Sequence, residues 1–226
     1  MSVQSSRPPS ADAVSDLSRY RRNTHRYGAH EVILRSVPSG STVLDVGCAT
    51  GYLGEALEAR GCRIWGLDQD RAAVALAEAC YEDVRAIDLD ECAELPWPDH
   101  FFDVALAADV LEHLRDPDRA LQLIRSLIRP EGRLIVSLPN VAHASVRLPL
   151  LVGRFGYGRT GILDETHLRL YTFTTARELV ESGGFTVERL IGASDHFGLL
   201  LQRPRVSRLV RGLLSHNIVI LARPKP

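Results

Sequence analysis

Lysine is almost missing from this chain. Of 27 basic residues among 226, one is lysine, Lys225, and the other 26 are arginines. Set against 28 acidic residues they leave a formal charge of −1, which excludes general nucleic-acid binding through a broadly basic surface and leaves room only for a local groove. The arginine bias reads as a compositional habit rather than a functional signal. No apolar run approaches the roughly 20 residues that span a bilayer, and no stable membrane association is expected. The first thirty residues are polar and arginine-rich without the apolar stretch of a secretory signal, which predicts a cytoplasmic protein. Cysteine is sparse too. Cys48, Cys62, Cys80 and Cys92 form no C-x-x-C pair, so buried free thiols are expected and zinc is not. No G-K-[ST] follows a glycine-rich turn, which removes the P-loop.

What is present suffices for one substantial core, because 45% of the residues are hydrophobic. Residues 1–15, "MSVQSSRPPSADAVS", are small, polar and proline-containing, and predict a disordered tail. The pattern over 16–38 suits one or two helices, with Tyr20 and Tyr27 among arginines. Five strands follow, "STVLDVG", "CRIWGLDQD", "VRAIDLD", "FFDVALAAD" and "GRLIVSLPN", and the first, second and fourth lead into helical stretches. This alternation predicts an α/β, doubly wound, Rossmann-like parallel sheet covered on both faces. The rhythm breaks at 141–171, a segment expected to overhang the carboxyl ends of the strands as a lid or substrate wall. A helix, a strand, an arginine-studded helix and a last strand, "NIVILAR", complete a single domain over 16–226. In "LLLQRPRVSRLVRGLLS", Arg203, Arg205, Arg208 and Arg211 flank an apolar stripe that is expected to pack rather than meet a membrane.

The first strand runs into "VLDVGCATGYLG", where Gly47, Gly51 and Gly54 are spaced G-x-x-x-G-x-x-G. A dinucleotide turn wants glycine where Ala49 stands, so that the backbone can approach a pyrophosphate, and Asp45 just before the turn would repel one. A cationic ligand reverses both objections. S-adenosylmethionine carries a sulfonium and an α-ammonium group and no phosphate. Asp45 could hold the ammonium directly or through water, while the turn's N–H groups meet the carboxylate. Asp68 ends the second strand, where an acidic residue accepts both ribose hydroxyls. Asp88 ends the third, where it can accept from the adenine amino group while Leu89 offers its N–H. Trp65 reads as core.

With these residues in hand, the chain resembles the class I S-adenosylmethionine-dependent methyltransferases of the small-molecule type 11/type 23 group. The resemblance rests on "VLDVGCATGYLGEAL", "GLDQD", "LPWPDHFFDVALAADVLEHLRDP" and "LIRPEGRLIVSLPN", in the family's order, and covers about residues 27–192. It implies a seven-stranded sheet of order 3-2-1-4-5-7-6 with the last strand antiparallel. It also implies a cofactor site built from Asp45, Gly47, Cys48, Ala49, Gly51, Tyr52, Asp68, Gln69, Asp88, Leu89, Ala108 and Asp109. Ala49 departs from the glycine most members carry, and is tolerable because no pyrophosphate must pass.

The resemblance also directs attention to the acceptor side. Asp109 and His113, in "ADVLEHL", are expected to face the methyl position, His113 either as a base or as a structural histidine. "LDETHLRLYT" resembles a segment of methyltransferases associated with sugar or polysaccharide assembly. Its Asp164, Glu165, His167, Arg169 and Tyr171, with Tyr27 from the N-terminal helix, are expected to form a substrate lid; helix capping and surface ion pairs are the plainer reading. A histidine titrates near neutrality, so His167 is the first choice of general base and His113 the second. The expected reaction is O-methylation of a sugar, glycoside or natural product by a monomer or homodimer that binds no DNA.

Two rivals stand beside it. Asp109, Glu112, His113 and a distant histidine imitate the D/E-x-x-E-H…H metal set of small-RNA 2′-O-methyltransferases. No metal is expected, since V-L-E-H also occurs in metal-free relatives, and the near-neutral charge disfavours RNA. The other rival is a non-catalytic binding module, against which the intact Asp45, Asp68 and Asp88 speak.

Overall fold

The computed structural model describes residues 24–226 apart from 202, 204 and 205. The predicted tail over 1–15, the start of the N-terminal helical stretch with Tyr20, and Arg205 lie outside the described residues.

The apolar and β-branched runs become seven strands: β1 (Thr42–Val46), β2 (Arg63–Asp68), β3 (Asp83–Ala86), β4 (Phe102–Ala108), β5 (Ile128–Pro139), β6 (Phe185–Ala193) and β7 (Asn217–Pro224). They form one sheet in the order β3-β2-β1-β4-β5-β7-β6, as the resemblance implied. The pairs from β3 to β5 are parallel. β7 inserts between β5 and β6 and runs antiparallel to both, with Val136 opposite Ile220 and Gly192 opposite Ile218. The amino end of β7 therefore lies on the edge where β4 and β5 finish.

Helices cover both faces, which is why β1 and β4 read as nearly unbroken apolar runs. α1 (Ala29–Ser36), α2 (Gly54–Glu58) and α3 (Arg71–Ala77) precede α4 (Pro117–Leu127), α5 (Ala144–Leu151), α6 (Phe173–Ser182), α7 (Gly198–Leu201) and α8 (Arg208–Leu214). One core gathers Trp65, Phe102, Leu121, Ile124 and Phe185 on the α4 and α6 side. The other gathers Ile33, Val43, Leu57, Ile64 and Val219 on the opposite side. Trp65 is core, as expected, with its ring edge-on to Phe101 and Phe102 at 5.1 and 5.8 Å. α4 begins where Asp116 accepts the Arg119 N–H at 3.0 Å and Pro117 occupies the first turn.

Segment 141–171 is α5 followed by irregular chain, tied to the end of β5 by a bridge between Asn140 and Tyr171 and folded on itself by one between Gly158 and Asp164. Asn140 is fully buried, and its amide donates to the carbonyls of Gly212 and Ser215, both at 2.7 Å. That ties the start of the insert to the end of α8. The C-terminal apolar stripe packs in part: Leu201 is buried and Leu213 and Leu214 are half-buried, whereas Leu209 is 63% exposed and Val210 37%. α8 spans two turns and docks through its carboxyl end, which leaves those side chains outside. Among the described residues no helix is long and apolar enough to cross a membrane.

Candidate active site

The glycine turn leaves β1 with three left-handed residues at alternate positions, Gly47 at φ +70°, Ala49 at φ +48° and Gly51 at φ +80°. Gly47 is required twice over, since a Cβ there would come within 2.4 Å of Val110 Cγ2 as well as straining the backbone. Ala49 has no such exemption, and its conformation is held from outside. Its N–H donates to Asp68 Oδ2 at 2.9 Å, while Asp68 Oδ1 accepts the Asp70 N–H at 2.9 Å. Asp68 thereby fixes the turn and keeps a further lone pair on each oxygen.

Asp45 stands behind the turn, 2% exposed, and is not among the residues lining the cleft described below. Tyr81 donates its hydroxyl to Asp45 Oδ2 at 2.6 Å. Burial raises the Asp45 pKa from 3.8 to about 7, the Tyr81 hydrogen bond opposing that rise and the Asp68 charge adding to it. The Tyr81 ring lies over Gly54 and Gly66, where a Cβ would approach it to 2.6 and 2.8 Å. Nothing local in the sequence marked Tyr81; its signal is the pair of glycines that make room for its ring.

A cleft of about 540 Å³ opens beyond the carboxyl ends of β1 to β4. Gly47, Ala49 and Tyr52 of the turn, Asp68 and Gln69 after β2, and Asp88 and Leu89 after β3 line one side. Ala108, Asp109 and His113 line the other, under Thr160, Asp164 and Thr166 of the insert. Cys48 and Gly51 belong to the turn without lining the cleft; Cys48 is buried, and burial pushes its thiol pKa up. Asp109, like Ala49, is a non-glycine residue in the left-handed region, at φ +55°. Its N–H donates to the Ser137 carbonyl at 3.1 Å, and its Oδ1 accepts from Ser137 Oγ at 2.9 Å and from Asn217 Nδ2 at 3.1 Å.

The five-residue lid cluster divides. Asp164 lines the cleft, its Oδ1 accepting the Thr166 N–H and hydroxyl at 2.8 and 2.6 Å. His167 does not: its side chain is 6% exposed and packs behind His113, ring centroids 4.8 Å apart. The first choice of base is thus covered, and His113 is the imidazole of this pair that reaches the cleft. Glu165, Arg169 and Tyr171 line neither this cleft nor its neighbour. Glu165 is exposed, and Arg169 donates through Nη2 to the Arg115 carbonyl at 2.6 Å. Tyr171 is turned into the core by its bridge to Asn140. Tyr27 also stands off the cleft, its carbonyl accepting the Ser194 N–H at 3.0 Å and its ring against Gly198. His30, Thr160 and Thr166 line the cleft unanticipated, and His30 also meets Tyr52, ring centroids 5.0 Å apart.

Behind the cleft, Glu112 is fully buried and neither carboxylate oxygen has a hydrogen-bond partner among the described residues. Burial, and then the Asp109 charge, hold its pKa well above the usual carboxylate range. His167 Nε2 lies 3.9 Å from Glu112 Oε1, and one ligand atom from each of Glu112, His113 and His167 falls within 4.8 Å of the others. His167 is held beside Glu112 by the chain that follows it, where the Leu168 and Arg169 N–H groups donate to the Glu112 carbonyl at 2.9 and 3.2 Å.

A second cavity of about 430 Å³ adjoins the first and shares His30 and Asp109 with it. It lies beyond the ends of β5 and β6 and the start of β7, walled by His143, His196, Phe197, His216 and Asn217. Two adjoining cavities on the carboxyl edge of a doubly wound sheet, one with an acidic residue at the end of each of β2, β3 and β4, define a ligand-binding fold of the Rossmann-like class.

Comparison with known proteins places the chain more narrowly. Residues 17–190 match the family described as "Methyltransferase domain", so the chain belongs to that family, within the class I S-adenosylmethionine-dependent methyltransferases of the type 11/type 23 group. It is 34% identical over 175 residues to the "Probable S-adenosylmethionine-dependent methyltransferase" of Mycolicibacterium smegmatis, covering 75% of this chain and 63% of that protein. It is 35% identical over 109 residues to the ubiquinone biosynthesis O-methyltransferase of Pseudomonas paraeruginosa, covering 45% and 46%. The chain thus spans less than two thirds of the length of either relative. The fold is shared with a S-adenosylmethionine-dependent methyltransferase from Thermotoga maritima, TM-score 0.67 at 17% identity over 95% of this chain and 97% of that one.

Proposed function

We propose that the protein transfers a methyl group from S-adenosylmethionine to a hydroxyl oxygen of a small acceptor, a sugar, glycoside or related natural product. The observation that carries this reading is the pair of adjoining cavities meeting at Asp109 and His30. One chamber takes the cofactor, and the other, about 430 Å³ and edged with imidazoles, suits a small molecule with an exchangeable proton. In the first chamber Asp68 would accept from the ribose hydroxyls beside Gln69. Asp88 and Leu89 would meet the adenine, and the turn from Gly47 to Tyr52 together with Ala108 and Asp109 would hold the methionine end. Asp45 reaches the ammonium only through the turn that covers it. The O-methyltransferase name of the Pseudomonas relative agrees with an oxygen acceptor.

Methyl transfer is an in-line displacement, so the chain's work is to align the acceptor, exclude water and take a proton. On the lid side the imidazole available is His113, whose pKa burial and the neighbouring His167 hold below the ordinary value. The test is a screen of hydroxyl, amine and thiol acceptors with methyl-labelled S-adenosylmethionine. Label appearing in amines and never in hydroxyl compounds would reject an oxygen acceptor.

A second reading is favoured by one cluster. Glu112 has two buried, unpartnered oxygens facing two imidazoles, a donor set that fits a divalent cation such as Mn²⁺. Bound there, a cation would lower the pKa of an acceptor hydroxyl. Glu112, His113 and His167 would hold it, with Asp109 nearby. Calorimetric titration of Mn²⁺ into wild-type protein and Glu112→Gln decides the matter: binding to the first and not the second supports the cation, and binding to neither removes it.

A further inference from the structure

The second cavity contains His143 and His216, ring centroids 5.6 Å apart, and their hydrogen bonds fix which nitrogen of each carries the proton. His143 caps α5. Its Nδ1 accepts the Ser145 N–H at 3.2 Å and lies 2.8 Å from the Ser145 hydroxyl, which can donate to it as well; with Nδ1 accepting, Nε2 of the neutral ring bears the hydrogen and acts as a donor. Burial and the neighbouring His216 lower the His143 pKa, which keeps that ring neutral.

His216 has the opposite arrangement. Its Nδ1 lies 3.0 Å from Asn217 Oδ1. The Asn217 amide cannot be turned round, because its Nδ2 donates to Asp109 Oδ1 at 3.1 Å, and a carboxylate only accepts. Oδ1 is therefore an acceptor, His216 Nδ1 carries the hydrogen, and Nε2 is left with its lone pair. Asp109 is in turn held by the Ser137 hydroxyl at 2.9 Å. The chain Asp109, Asn217, His216 has the logic of a base oriented by a second group and fixed by a third.

We propose that His216 is the general base of methyl transfer, set in that tautomer by Asn217 and Asp109 as positioning residues. His143 is the donor beside it, so the acceptor is a molecule with two adjacent oxygens, one a hydroxyl. This rests on the oxygen-acceptor reading above. The hydroxyl oxygen attacks the sulfonium methyl, and a C–O bond forms as the C–S bond breaks. The electron pair of that bond stays on sulfur, which leaves as the neutral thioether of S-adenosylhomocysteine. The hydroxyl proton passes to His216 Nε2, and the resulting imidazolium keeps its Nδ1–H on Asn217 until the proton is lost to water. His143 Nε2–H holds the second oxygen. His113 then belongs to the wall around the cofactor.

The tautomers can be read without knowing the natural acceptor, from long-range ¹H–¹⁵N correlations of the histidine rings in labelled protein. The Nδ1–H form is expected at His216 and the Nε2–H form at His143. Asn217→Ala is expected to send His216 toward the Nε2–H form. An Nε2–H tautomer at His216 in the wild type overturns the proposal. The chemistry is tested with 3,4-dihydroxybenzoate and methyl α-glucopyranoside as vicinal-diol probes and 3-hydroxybenzoate as the single-hydroxyl counterpart. His216→Gln is expected to lower kcat on a diol probe about 100-fold or more, with the cofactor Kd unchanged as proof of folding. Asn217→Ala is expected to lower kcat with little change in KM. Wild-type turnover in His216→Gln removes the base, and equal turnover of 3-hydroxybenzoate removes the two-oxygen requirement. A wild-type protein that methylates amines and no hydroxyl probe sinks the oxygen-acceptor reading instead, a different result from either.

Discussion

Replacing Tyr81 with phenylalanine should destabilise the protein by an amount that grows with pH. Asp45 is buried under the glycine turn with the Tyr81 hydroxyl 2.6 Å away, and burial raises its pKa from 3.8 to about 7. Between those two values the folded chain holds a proton that the unfolded chain has released, so stability falls as pH rises and levels off above about 7. A difference of about three in pKa corresponds to about 4 kcal/mol over that window. Above it, the Tyr81 hydroxyl donates to a buried carboxylate, a bond worth about 1.5–3 kcal/mol; below it, the partner is a neutral acid and the bond is worth about 0.5–1.5 kcal/mol. Tyr81→Phe keeps the ring over Gly54 and Gly66, so its packing term is the same at every pH. Urea unfolding at pH 5 and pH 8.5 should therefore show the cost of Tyr81→Phe rising by about 1 kcal/mol or more. Glu112 is also buried with a raised pKa and adds its own decline, so Asp45 is isolated by difference against Asp45→Asn. In that background Tyr81→Phe should cost the same at both pH values. A cost independent of pH in the native background, or an Asp45→Asn protein that keeps the full wild-type decline, would refute the reasoning.

Three other outcomes follow from the site. Asp68→Ala should weaken S-adenosylmethionine binding by about 1.5–3 kcal/mol, roughly 10- to 150-fold, as charged hydrogen bonds are lost; an unchanged calorimetric Kd takes Asp68 out of the site. Gly47→Ala should destabilise by about 1–3 kcal/mol through its left-handed backbone, with a further cost from the 2.4 Å approach to Val110. Adding Val110→Ala should recover only the second part, and complete recovery of urea stability would mean that backbone strain is negligible. A cofactor ammonium within reach of Asp45 would pull down the pKa of about 7. Binding at pH 6.5 should then release up to about three quarters of a proton, seen as a binding enthalpy that varies with the ionisation enthalpy of the buffer. No buffer dependence would separate Asp45 from the ammonium.

The parts of this molecule that the sequence discloses are those whose cause is local. A glycine turn after a β-branched run, acidic residues at strand ends and the alternation of strand and helix each need only a dozen neighbouring residues to be read. The lid cluster is less legible for the same reason. Five functional groups within eight residues say nothing of which face each one meets, and the Asn140–Tyr171 bridge, 31 residues apart, decides it. It turns Tyr171 inward and leaves His167 behind His113. The pairing of Asp109 with Asn217 is further still from view, since 108 residues separate the two. It arises because β7 alone runs against the parallel strands, so that its first residue arrives where β4 ends. A signal for it does exist. "HN" at 216–217 is a polar pair opening the otherwise apolar run "IVILA", and in an antiparallel last strand the opening residues, not the closing ones, sit on the ligand edge. Applied to strand direction rather than strand order, the switch-point rule puts the opening of β7, and with it Asn217, on the ligand edge where Asp109 stands.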